Sequence, residues 1–374
     1  MSIAIPVTST VIALLVAEGL TRLFVPIPLH PTDTFLEVGN QAIRTADAAP
    51  RWLRPNVEAR HREDDFDVMV TTNSRGLRDR EFAYAKRAGV KRVLSTGDSF
   101  AFGYGVSLEE SYAKRAEALL GDGWEVINGA VPSWGTADEL DFLLTEGLKY
   151  TPDIVVLCYF RNDLHDNRVR GTYHMTPDGR AERCRPLIAE REAAGEAAVL
   201  AVKDPILADI CATGAMGNEP EQPPQGAGWW ATHSNLFRLV RQAVSRTEGR
   251  LARPADASPA TERDYERRLT ALLLADVAKA CSERGIRTIV MLMPSREEAQ
   301  WEREPGGRGQ REPSVSTAVA EEAGAQVLDL APMLAAAGPE AVYFPHNAHI
   351  SAHGHAVVAQ ALVEAIRNPE VKGR

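Results

Sequence analysis

The sequence predicts an α/β protein whose parallel sheet is covered by helices on both faces, a three-layer α/β/α arrangement. Short β-rich or apolar runs at 92–95, 124–128, 153–159, 286–293 and 326–330 alternate with helical spacing at 108–120, 136–148, 265–284 and 351–366. The run 153–159, DIVVLCY, is nearly continuously apolar, as in a strand buried on both sides. Turn formers punctuate the joints, as at Gly121-Asp122-Gly123 and Thr151-Pro152. At 374 residues and 44% hydrophobic content, the chain can build one sizeable domain plus extra segments.

Residues 1–17 carry no charge, and apolar character continues through Leu20, Leu23, Phe24 and Val25 to Pro26 and Pro28, about the length that spans a bilayer. Glu18 and Arg22, at i and i+4, can neutralise each other on one helix face. A single-pass membrane anchor over 1–28 is expected. The alternatives are a buried core helix or a cleaved signal peptide, the latter disfavoured by the lack of Lys or Arg before the apolar run and of an A-x-A site. Residues 29–62, Pro-containing and weakly periodic, read as a linker, and 63–374 as the folded domain. An alternating strand pattern at 67–72 leads into Asn73-x-x-Gly76-Leu77-Arg78-Asp79, where Arg75 and Arg78 could bind an anion or pair with Asp79 or Glu81.

The stretch 91–102, KRVLSTGDSFAF, hands a strand over to a helix at Ser99. Gly97 permits the sharp turn, and an exposed amide at the helix start can donate to developing negative charge. The plain alternative is that Asp98 or Ser99 only caps the helix. The next two strands end at Gly129 and just before Asn162-Asp163. The region 164–262 breaks periodicity and is too long for an ordinary connection, so it reads as an inserted cap, with 229–244 amphipathic within it. A helix near 315–322 leads to the last strand, and Ser351 caps the final helix.

A formal net charge of −9 argues against a nucleic-acid partner. The four cysteines show no CxxC spacing, which disfavours a structural zinc site. Cys158 and Cys281 fall in apolar patterns and read as buried thiols, whereas Cys184 and Cys211 lie in the insert and could pair. His346, His349, His353 and His355 crowd together, but no carboxylate or thiolate sits among them to complete a metal site.

Gly97-Asp98-Ser99-Phe100, Asn128-Gly129-Ala130, Asn162-Asp163 and His349, in that order after successive predicted strands, resemble the four blocks of the SGNH (GDSL-type) hydrolases. The Asn73–Asp79 string is similar to one that precedes the serine block in membrane-anchored relatives of that family. The resemblance implies a flavodoxin-like strand order, Ser99 as nucleophile and His349 as base. It also implies an oxyanion hole from the amides of Ser99 and Gly129 and the side chain of Asn162. Asn128, Arg161, Asp98 and Asp163 would support these groups. It further implies an extracytoplasmic catalytic domain and no cofactor. Two positions depart from the family pattern. Phe160 stands where the family has Gly. His346 and Asn347 stand where it places the Asp that orients the histidine, so Asn347, His346 or Asp329 is left to that task. Three functions follow as expectations: a hydrolase of O-acyl esters on a small molecule or glycan, an O-acyltransferase using the same serine, or a non-catalytic binding module.

Overall fold

The structure is a computed structural model that describes residues 4–24, 53, 55–170, 172–183, 259–304, 306 and 324–368. The chain begins with helix α1 (Ala4–Phe24), in which Arg22 Nε meets Glu18 Oε1 at 2.7 Å. The anchor expected over 1–28 is not supported: among the described residues no helix is long and apolar enough to cross a membrane. The uncharged part of α1, 4–17, extends only about 21 Å at ~1.5 Å per residue, short of a hydrocarbon layer about 30 Å thick.

Strands β1 (Glu58–Arg62) and β2 (Asp67–Thr71) form an antiparallel hairpin, with Arg62 opposite Asp67. The end of the expected linker is therefore ordered structure. The β1 sequence EARHR has few β-formers and hides its strand character; pairing with β2 and burial of His61 fix it. The turn is closed by the Glu63 amide donating to Phe66 O at 2.9 Å.

The central sheet begins with β3 (Lys91–Gly97), which leads into helix α2 (Ser99–Phe102) and then α3 (Tyr112–Leu120). β4 (Trp124–Asn128) is followed by α4 (Thr136–Thr145), and β5 (Ile154–Tyr159) by α5 (Asp163–Arg170). A small hairpin, β6 (Tyr173–Met175) with β7 (Ala181–Arg183), opens the expected insert; residues 184–258, including Cys184, Cys211 and the 229–244 segment, lie outside the described residues. So does the helix expected at 315–322. Helix α6 (Pro259–Ser282) precedes β8 (Arg287–Leu292), α7 (Arg296–Glu302), β9 (Gln326–Asp329), α8 (Ala331–Ala337), α9 (Pro339–Val342) and α10 (Ala352–Arg367).

All five central strands run parallel in the order β4-β3-β5-β8-β9, the 2-1-3-4-5 order of flavodoxin-like sheets. Every residue of β5 is buried, as its unbroken apolar run requires of a strand with both faces covered. Helices α3, α8 and α10 form one packed group, and α4, α5 and α6 another. The strand order reverses beside β3, and its carboxyl end is where such sheets open a crevice.

Arg78 is 1% exposed, and among the described residues its guanidinium meets backbone carbonyls rather than an acid. Nη1 donates to Phe102 O at 2.9 Å and Gly103 O at 2.6 Å, and Nη2 to Val106 O at 2.6 Å. These carbonyls lie at and just past the end of the short helix that starts at Ser99; Phe102 O and Gly103 O each have a second donor, Asn128 Nδ2 and the Val106 amide, whereas among the described residues Val106 O has only Arg78. Asp79 instead meets Lys114 Nζ at 2.7 Å and accepts from the Asn128 amide at 2.8 Å. Arg78→Ala leaves Val106 O without a donor and the other two with one each, and a loss on the order of 1–3 kcal/mol is expected in urea unfolding. Arg78→Lys should restore little of it, because one ammonium cannot reproduce the fork.

Candidate active site

The turn at the end of β3 places Ser99. Gly97 has φ 153, and a Cβ there would lie 2.6 Å from the Ala101 Cβ and 2.9 Å from the Cys158 Cβ, so only glycine lets the chain turn this tightly against β5. Asp98 caps α2, its Oδ1 accepting from the Phe100 amide at 2.9 Å. Both capping and exposure of the serine are thus achieved, by adjacent residues.

Ser99 Oγ lies 2.7 Å from His349 Nε2, and His349 Nδ1 lies 2.5 Å from Asn347 Oδ1. Of the three residues weighed for orienting the histidine, Asn347 holds the position. His346 points away: its ring Nδ1 and its amide both meet Asp65, each at 2.8 Å. Asp329 accepts from the Ala331 amide at 3.0 Å, at the start of α8. The imidazole sits between aromatic rings, stacked on Tyr104 at 4.2 Å and 20° and tilted against Phe100 at 4.9 Å. Burial first, and then the charge of nearby His61, hold its pKa down to about 3, so the ring is neutral with a free acceptor nitrogen at ordinary pH.

The expected oxyanion donors divide. Among the described residues the Ser99 amide has no acceptor. Asn162 donates through Nδ2 to Asp166 Oδ2 at 2.9 Å, and its side chain also hydrogen-bonds Asp98. Gly129 is the correction: its amide donates to Ser95 O at 2.8 Å, because the β3–β4 ladder continues past the end of β4. Glycine is needed there for packing, since a Cβ would lie 2.6 Å from Phe142 Cε1. In the same turn Ala130 and Val131 also spend their amides, on Asn128 Oδ1 at 3.2 Å and Gly97 O at 3.1 Å. Ser133, at φ 64, keeps an amide without an acceptor among the described residues.

The supporting residues lie below the site. Asn128 Nδ2 donates to Phe102 O at 3.2 Å, and Asp163 Oδ2 accepts from Thr136 Oγ1 at 2.8 Å. Burial, followed by the charge of Asp98, raises the Asp163 pKa well above the usual range, and burial pushes Asp98 up to about 7. Phe160, the departure in the third block, packs on Phe100 at 4.6 Å. Among the described residues no group of His, Cys, Asp and Glu could hold a metal ion. His355 accepts from the Tyr112 amide at 3.2 Å, and His353 is exposed.

Glu63 and Tyr104 were not foreseen. Tyr104 OH donates to Glu63 Oε1 at 2.6 Å, and Asn347 Nδ2 donates to Glu63 Oε2. The turn-forming EDDF at 63–66, between two strand-length segments, was the available signal, but β1 itself was unreadable.

Residues 250–374 match a family model described as an SGNH hydrolase-like domain, acetyltransferase AlgX; the matched part contains His349 and lies after Ser99. No curated protein matches the chain. An acetylxylan esterase from Geobacillus stearothermophilus is similar in structure at a TM-score of 0.40 and 14% identity, over 77% of this chain and 99% of that one. A lipase/acylhydrolase from Enterococcus faecalis is similar at 0.33 and 15% identity, over 76% and 100%. These likenesses are loose, and the strand order above defines the fold independently of them.

Asp98 links the site to pH. With a folded pKa of about 7 against an ordinary 3.8, the native state holds a proton that the unfolded chain releases between those values. Stability from this group is therefore full below about pH 4 and lost as pH rises toward 7. Buried His349 and His355, both lowered to about 3, act oppositely and cost stability as pH falls below 6.5. Asp98→Asn keeps the cap and removes only the first dependence. Its stability relative to the wild type should rise between pH 4 and 7 by on the order of a few kcal/mol, measured by thermal or urea unfolding; a flat difference would show that Asp98 does not hold the proton.

Proposed function

We propose that this chain, whose residues 250–374 match a model of an SGNH hydrolase-like domain, is an acyl-ester enzyme with Ser99 as nucleophile and His349 as general base. The observation that carries this reading is the 2.7 Å contact between Ser99 Oγ and His349 Nε2 in a ring whose Nδ1 is already engaged. Ser99 Oγ attacks the ester carbonyl carbon while its proton passes to Nε2. The carbonyl oxygen becomes an oxyanion, for which the Ser99 amide and the side chain of Asn162 are the donors. Each such donor is worth about 10²–10³ in rate. Collapse breaks the bond to the alcohol, which leaves with the proton from Nε2, and the acyl group stays on Ser99. A second hydroxyl, deprotonated by His349, then attacks the acyl carbon; the bond to Ser99 Oγ breaks, Oγ takes the proton back from Nε2, and the acyl group departs on the second oxygen.

If that hydroxyl belongs to water the enzyme is an esterase; if it belongs to a small molecule or glycan, it is an O-acyltransferase. The matched family model's description as an acetyltransferase favours keeping the second reading beside the first. A binding module would have no use for a neutral base aimed at a serine, which speaks against the third.

Wild-type protein should react with a fluorophosphonate and release p-nitrophenol from p-nitrophenyl acetate. Ser99→Ala should abolish the labelling, and both Ser99→Ala and His349→Ala should lower kcat by at least about 10³. Faster nitrophenol release with an added polyol, and acetate appearing on that polyol, identifies transfer. An inert wild type overturns the catalytic reading.

A further inference from the structure

The tip of the β1–β2 hairpin reaches the histidine loop at two points. Asp65 accepts from the amide and ring of His346, and Glu63 accepts from the side chain of Asn347. Asn347 Oδ1 in turn faces His349 Nδ1 at 2.5 Å and accepts from the His349 amide at 3.0 Å. A carboxamide has two different ends. Turned one way it accepts from Nδ1–H; turned the other it donates to a bare Nδ1. Only the first leaves Nε2 without hydrogen and able to take the proton of Ser99. The second fixes the tautomer associated with a loss of about 10⁴ in kcat where Asn replaces the acid of a serine protease triad. The His349 backbone N–H, which donates to Oδ1, favours the first. A carboxylate against Nδ2 adds a charge to that preference, because reversing the amide would set Oδ1 against an anion.

We propose that Glu63 is a positioning residue whose carboxylate locks the Asn347 amide so that it accepts the His349 Nδ1 proton. This rests on the assignment of Ser99 and His349 above. Glu63 and Asn347 together replace the single aspartate absent before His349. Tyr104 fixes Glu63 from the other side through its hydroxyl, at 2.6 Å, while its ring stacks on the imidazole. No bond is made or broken at Glu63. Its charge polarises the amide, strengthens Oδ1 as an acceptor and steadies the imidazolium formed when Nε2 takes the serine proton. One consequence separates this arrangement from simple packing: a carboxylate at 347 would face Glu63 as a like charge, so substitutions at the two positions must be non-additive.

The test uses the full chain, p-nitrophenyl acetate turnover and the ¹⁵N shifts of the His349 ring. In the wild type Nδ1 should carry the proton and Nε2 should not. Glu63→Gln, nearly isosteric, should lower kcat by roughly 10- to 100-fold with KM little changed, and should mix the two ring tautomers. Asn347→Asp should also lose activity, whereas the double variant, Asn347→Asp with Glu63→Gln, should return to within about fivefold of the wild type. A wild-type ring protonated at Nε2 overturns the proposal, as does a Glu63→Gln variant within threefold of wild-type kcat, or a double variant in which the two losses multiply. The tautomer measurement needs no turnover and no substitution, so it can fail or succeed apart from the role of Ser99.

Discussion

An imidazole can draw a proton from a serine only if its far nitrogen already holds one, and the arrangement around His349 serves that constraint. Asn347 occupies Nδ1, Ser99 faces Nε2, and Tyr104 and Phe100 fix the plane of the ring. Burial holds the pKa down to about 3, which keeps the base unprotonated but makes the imidazolium costly to form. An asparagine carbonyl backed by a carboxylate is one way to offset that cost without placing a full charge directly against the ring.

The serine side depends on backbone geometry rather than on charge. β3 lies between β4 and β5, and its exit is squeezed against Cys158 on β5 and Ala101 on α2, which is why Gly97 ends it. Past the short helix that follows, the buried guanidinium of Arg78 takes the carbonyls of Phe102, Gly103 and Val106 from outside the sheet. Below it lie Asp98, Asp163 and Glu139, fully buried acids whose pKa values are all raised, in the first instance by burial. A raised pKa lessens the charge that these neighbouring acids carry against one another.

Gly129 and Arg78 illustrate how a motif can be located correctly and its role misjudged. Gly129 is at the end of β4, as its place in the sequence predicts, yet its amide is used by the ladder and its missing side chain makes room for Phe142. Arg78 looked like an anion ligand or half of an ion pair, and serves carbonyls instead. Sequence gives a residue's chemistry and its approximate place, but not which partner reaches it first.

The periodicity of the chain by itself determined the alternation of strands and helices, because each strand buried on both faces needs an unbroken apolar run and each covering helix an apolar stripe. The succession of turns determined that Ser99, Gly129 and Asn162 stand near strand ends. What only the tertiary structure decided is the company of His349. Contacts between Glu63 and Asn347, or Ser99 and His349, join segments separated by nearly the whole domain, and no local pattern encodes them. β1 could not be read at all, since its few apolar residues are stabilised as a strand by pairing with β2 rather than by their own propensity.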